Sequence, residues 1–207
     1  MIAVPSGVLF PSLGVTPRPT ACPMCPALPC GMRTADIEIL VDYLYWIRDR
    51  ILGAAHDLPS EVFAAPDPST TRNLRDTLVH ELDVEWSWRE RLTGAPPEVW
   101  GPDVELKPAD YPTVEKIAEH WRRDEAAMRR WLAGLSDDIL DAPPPNAGRT
   151  ALPLWMFLMH IVSHGMQQFS DAAVLLTAAG RSPGEIEFLE FADTLEQPVG
   201  GVPSTLG

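Results

Sequence analysis

The sequence predicts an all-α protein, a four-helix bundle preceded by a disordered, proline-rich N-terminal extension. Three observations lead there. Four long segments carry apolar residues at the 3.6-residue spacing of one helix face, and none alternates as a strand would. The 22 prolines are about twice the usual share of roughly 5%, and they fall between those segments rather than within them. A chain of 207 residues, 45% hydrophobic and 22% charged, has the composition of one ordinary globular domain.

Residues 1–31 hold seven prolines, all three cysteines and a single charged side chain, Arg18, after which the composition changes abruptly at MRTADIE. Pro5, Pro11, Pro17 and Pro19 interrupt the apolar run that a secretory leader needs. Cys22 and Cys25 form a C-x-x-C pair with no second pair to complete a zinc site, and Pro23, Pro26 and Pro29 oppose the helix that a redox motif opens. The expectation is a disordered extension outside the functional protein, with Met32 as the start.

The first helix is expected from Thr34, as N-cap, to His56, with Ile37, Leu40, Val41, Leu44, Ile47 and Ile51 inward and Pro59 beyond its end. The second spans Thr71 to Thr93 and stops at Gly94, its stripe formed by Leu74, Leu78, Leu82, Val84, Trp88 and Leu92. The third spans Thr113 to Leu135 with Ile117, Trp121, Met128, Trp131 and Leu132 inward and Arg122, Arg123, Asp124 and Arg129 on its outer face. The fourth runs from Pro153, which suits a first turn, to Ala179, and Gly180 closes it. A short amphipathic segment, Gly184–Phe191, caps the bundle. The domain is thus placed at 32–192, with 193–207 as a flexible tail.

With 16 Lys and Arg against 29 Asp and Glu, the net charge is −13, and a surface so acidic repels nucleic-acid backbones and anionic lipid. No run approaches the roughly 20 apolar residues that span a bilayer, and mean hydropathy is −0.04. A small molecule is the expected partner. Because no cysteine falls after residue 30, a reducing cytoplasm is the expected setting.

Two of the five histidines, His160 and His164, stand four residues apart on the fourth helix, one turn from each other on one face. Gln168 and Asp171 continue this polar ladder, and Phe157 and Leu175 flank it, so the ladder is expected to face the core, where polar groups need a partner. Ile161 stands where a zincin has glutamate, which excludes that protease class. A third ligand must then come from another helix. His80, set among apolar residues in TLVHELDVEWSW, is the candidate, with Glu81 and Glu85 as carboxylates to orient a ligand imidazole. His56 and His120 are read as ordinary surface residues and the tryptophans as fillers of the core and the bundle rim.

LVHELDVEWSWRERL together with MHIVSHGMQQFSDAAVLLTAAGRSPGEIEFLEF resembles the DinB-like (DinB/YfiT) metal-binding four-helix-bundle superfamily, over Thr34 to Phe191. The resemblance implies up-down-down-up connectivity, a homodimer, and a divalent ion such as zinc or nickel on three histidines at one end of a pocket. It also implies thiol-dependent transferase chemistry with a low-molecular-weight thiol, or hydrolysis. The family's ligands match His80, His164 and Gln168, the last where the family usually has histidine. Three arrangements follow: a His80–His164–Gln168 site, a site shifted one turn to His80–His160–His164, or a lost site in a non-catalytic bundle that binds a small ligand or acts through dimerisation. In the first two, Glu85 or Asp171 is the carboxylate expected to take a proton.

Overall fold

A computed structural model describes residues 31–148 and 151–196, and among these every regular element is helical. In chain order they are α1 (Thr34–Ala55), α2 (Ser60–Phe63), α3 (Leu74–Leu92), α4 (Pro97–Trp100), two 3-10 turns at Pro102–Val104 and Pro108–Asp110, α5 (Val114–Leu132), α6 (Asp137–Leu140), α7 (Leu154–Ala178) and α8 (Phe188–Glu196). The four long helices are those expected, within three residues at each end. The cysteine-containing extension and the residues after 196 lie outside the described residues. The helix α8 runs past the domain end expected at residue 192.

Local chemistry sets the helix starts. Arg33, not Thr34, is the N-cap of α1: the Asp36 carboxylate accepts the Arg33 backbone N–H at 3.0 Å, while the Thr34 N–H and hydroxyl donate to Asp137 across the bundle. Asn73 caps α3 by accepting the Asp76 N–H at 2.9 Å, which moves the start from Thr71 to Leu74. Gly180, at φ +76, takes the left-handed conformation that ends α7, and the Arg181 N–H returns to the Leu176 carbonyl at 2.8 Å.

Pairings across the bundle fix the topology. Arg181, just beyond α7, donates to the Ala54 and His56 carbonyls at the end of α1, so α1 and α7 are parallel. His164 and Phe157 of α7 meet His80 and Trp88 of α3, an antiparallel pair. Glu85 and Arg89 of α3 meet Trp121 and Asp124 of α5, a parallel pair, and Asp42 and Arg48 of α1 meet Arg129 and Glu125 of α5, an antiparallel one. The connectivity is up-down-down-up. α7 packs closely against both α3 and α1, and α5 closes the opposite side.

The core holds Ile37, Leu44, Ile47 and Ile51 of α1, Leu78 and Leu82 of α3, Ile117, Trp121 and Met128 of α5, and Phe169 of α7. Asp124 departs from its expected place on the outer face of α5: it is buried and takes the Arg89 guanidinium. No described helix is long and apolar enough to cross a membrane.

Gly165 lets α7 approach. A Cβ there would stand 2.5 Å from Leu44 Cδ1 and 2.6 Å from Glu81 Oε1. Gly165→Ala is therefore expected to cost about 1–3 kcal/mol by overpacking, read as a lower midpoint in urea unfolding; an unchanged midpoint would contradict this packing.

Candidate metal centre

The α3–α7 seam brings His80 and His164 together, their ring centroids 5.1 Å apart and their planes at 67°. The register responsible is that of Leu78 and Leu82, buried on one side of α3, which carries His80 to the rim of the seam and turns Glu81 inward. Glu81 has no exposed surface. Its Oε2 and His164 Nδ1 share a hydrogen bond of 2.6 Å. Burial raises the Glu81 carboxyl well above the carboxylate range and lowers His164. With both groups neutral the Glu81 hydroxyl donates to Nδ1; with the proton moved across, Nδ1–H donates to the carboxylate. In either state this nitrogen is occupied and the ring is aimed outward through Nε2.

His80 is pushed down to about 4, first by burial and then by the charge of Arg72 and the neighbouring His164. His164 also feels Arg72. Two neutral imidazoles side by side suit a cation. Their separation fits as well: at Zn–N distances near 2.0–2.1 Å, two imidazoles on one tetrahedral ion place their centroids about 5 Å apart. The Oε1 atoms of both Gln168 and Glu81 are buried acceptors with no hydrogen-bond donor. Gln168, one turn on from His164, brings such an unclaimed oxygen to the same helix.

The ladder does not face the core along its whole length. His160 is exposed, His164 and Asp171 are half-buried, and only Gln168 is buried. Each step of four residues overshoots a full turn by about 40°, so the row rotates from solvent at His160 into the bundle at Gln168. His160 lies 6.0 Å from His164 and packs edge-on against Trp88 at 5.1 Å. His80, His160 and His164 do not bring three ligand atoms within 4.8 Å of one another; among the described residues the one group of His, Cys, Asp and Glu that does so is His56, Asp57 and Glu115, all exposed.

Glu85 sits one turn deeper on α3 and is fully buried. Tyr45 donates its hydroxyl to Oε1 at 2.5 Å and Trp121 its indole N–H to Oε2 at 2.9 Å. Burial, reinforced by Asp124, pushes its pKa up to about 8 against the pull of those two donors. Glu85 is thus a buried cross-helix anchor facing α1 and α5, away from the histidine pair. Sequence reasoning missed Tyr45, the α1 residue that meets it, and Arg48, whose guanidinium lies 4.4 Å over the Tyr45 ring; their signal was a polar group at the edge of the apolar stripe of α1. His120, expected at the surface, is half-buried and bonded through Nδ1 to the Tyr111 hydroxyl at 2.6 Å.

The sequence model of the DinB family matches residues 32–198. The chain is also similar to the uncharacterized protein YizA of Bacillus subtilis (strain 168), 24% identical over 150 residues that cover 72% of this chain and 91% of the relative.

A carboxyl raised by burial binds more protons folded than unfolded, so its stabilising contribution is complete below about pH 4.5 and is lost as pH rises through about 8. Relative to the unmodified protein, Glu85→Gln should therefore gain stability steadily from pH 5 to 8 in urea unfolding; a pH-independent difference would contradict the assignment.

Proposed function

The chain belongs to the DinB family, and on that footing we propose that it is a divalent-metal enzyme of the thiol-transferase or hydrolase type, its ion held by His80, His164 and Gln168. The observation that carries the reading is the His80–His164 pair, 5.1 Å apart, with His164 oriented from behind by a fully buried carboxyl. A zinc or nickel ion held there would lower the pKa of a bound thiol or water and so make it a nucleophile near neutral pH.

The chain's own residues supply the rest. Glu81 fixes the rotation of the His164 ring, so that Nε2 does not turn away between turnovers. His80 stays neutral at pH 7 and keeps a lone pair for a cation. Gln168 offers a carbonyl oxygen, a weaker and uncharged ligand than imidazole. Trp88 and His160 pack edge-on against each other beside the pair. Of the two carboxylates expected to move protons, Asp171 keeps partial contact with solvent and Glu85 has none. The reading includes a low-molecular-weight thiol as co-substrate, a cytoplasmic setting and a homodimer.

Metal content after dialysis against zinc or nickel is expected near one equivalent and should be lost in His80→Ala and His164→Ala. Gln168→His, which restores an imidazole, should tighten binding by about tenfold or more, the effect of a gained strong ligand on a scale where tenfold is 1.4 kcal/mol. No bound metal in the unmodified protein would overturn the enzyme reading and favour a bundle that binds small ligands without catalysis.

A further inference from the structure

Away from the α3–α7 seam, His56, Asp57 and Glu115 each bring a ligand atom within 4.8 Å of the other two. The trio joins two elements: His56 and Asp57 follow the last turn of α1, and Glu115 stands in the first turn of α5.

Each member is held by its surroundings. The His56 carbonyl accepts from Arg181 Nη2 at 2.5 Å and the Ala54 carbonyl from its Nε at 3.2 Å, which fixes the end of α1. Asp57, in the left-handed region at φ +59, pairs its carboxylate with His56 Nδ1 at 2.8 Å. Glu115 is kept below its ordinary range by hydrogen bonds from its own backbone N–H and from Thr113, with His56 adding to the pull. It is therefore ionised at neutral pH.

The setting favours a cation. His56 and Glu115 also line a groove of about 610 Å³ between α1 and α5, where Asp49, Glu115 and Glu125 outnumber Arg48 and Arg122. The imidazole adds a nitrogen donor that a bare acidic patch lacks, and a nitrogen beside two carboxylates suits a transition-metal ion better than magnesium or calcium.

We propose that His56, Asp57 and Glu115 form a second metal site, separate from the histidine pair, for a divalent ion of the manganese-to-zinc series that ties the end of α1 to the start of α5. Donors on one tetrahedral ion at about 2.0–2.2 Å stand roughly 3.3–3.6 Å apart, which exposed side chains already within 4.8 Å reach by small rotations. The ion replaces the proton shared by His56 Nδ1 and Asp57, and that proton leaves to solvent. Because all three ligands are exposed, the ion exchanges freely with buffer, so the site is read by titration rather than by metal retained after dialysis.

The test is a manganese(II) titration of the full chain followed by proton–nitrogen NMR, in which paramagnetic broadening locates the ion without removing the histidine pair. Saturable broadening of the backbone amides around His56 and Glu115 is expected. Zinc, which outranks manganese at nitrogen–oxygen sites, should reverse it, and the same concentration of magnesium should not. Asp57→Asn removes a ligand charge while keeping a side chain at home at φ +59, and Glu115→Gln keeps the size of its exposed side chain. Each should weaken manganese binding at these amides about tenfold or more, the effect of losing one ligand. No broadening at these amides, binding undiminished in both variants, or reversal by magnesium as effective as by zinc, the response of a bare acidic patch, would each overturn the proposal.

Discussion

A carboxyl group with no exposed surface must be satisfied from within, and the arrangement of α3 against α7 follows from how Glu81 meets that demand. His164 reaches it from the neighbouring helix at 2.6 Å. For the two to meet, α7 must lie close enough that residue 165 has room for a hydrogen and nothing larger. Leu44 presses on the same spot from α1, so this one contact ties three helices. The residue before Glu81 is then carried to the rim of the seam, where His80 stands beside the same His164 ring. One buried bond therefore sets helix register, ring orientation and the pairing of the two imidazoles.

A second polar layer lies one turn deeper and joins the remaining helix. Glu85 of α3 collects Tyr45 of α1 and Trp121 of α5; Arg89 of α3 takes Asp124 of α5; Arg48 of α1 takes Glu125 of α5. Buried pairs of this kind add little net stability over well-packed apolar groups, yet losing one partner strands the other. Each of these bonds spans two helices, so a slip of one residue in any of them would strand several groups together. The layer also separates the α3–α7 seam from the opposite α1–α5 side of the bundle.

The four long helices were legible from apolar spacing because amphipathic periodicity is local information. Their ends shifted where a side chain several residues away competed for the cap, as Asp36 does for Arg33 and Asn73 for Asp76. The parallel pairing of α1 with α7 came from family resemblance, since nothing in the spacing of one helix states which neighbour it will face. Within the site, His80, His164 and Gln168 were singled out residue by residue, but Glu81 as the partner of His164 depended on a register that only the packed helices establish. The polar ladder was read as facing inward along its length, and the 40° drift of a four-residue step instead leaves His160 in solvent. Asp124 misled in the opposite direction, because periodicity places a charge outward unless a partner such as Arg89 is known.

The proposed function requires that His80 and His164 share one ion. The most direct measurement is X-ray absorption at the zinc edge of the zinc-loaded full chain. The account predicts outer-shell scattering from two imidazoles with Zn–N distances near 2.0–2.1 Å and the remaining ligands oxygen, falling to one imidazole in His164→Ala. A shell of oxygens alone, or one unchanged by that substitution, would contradict it.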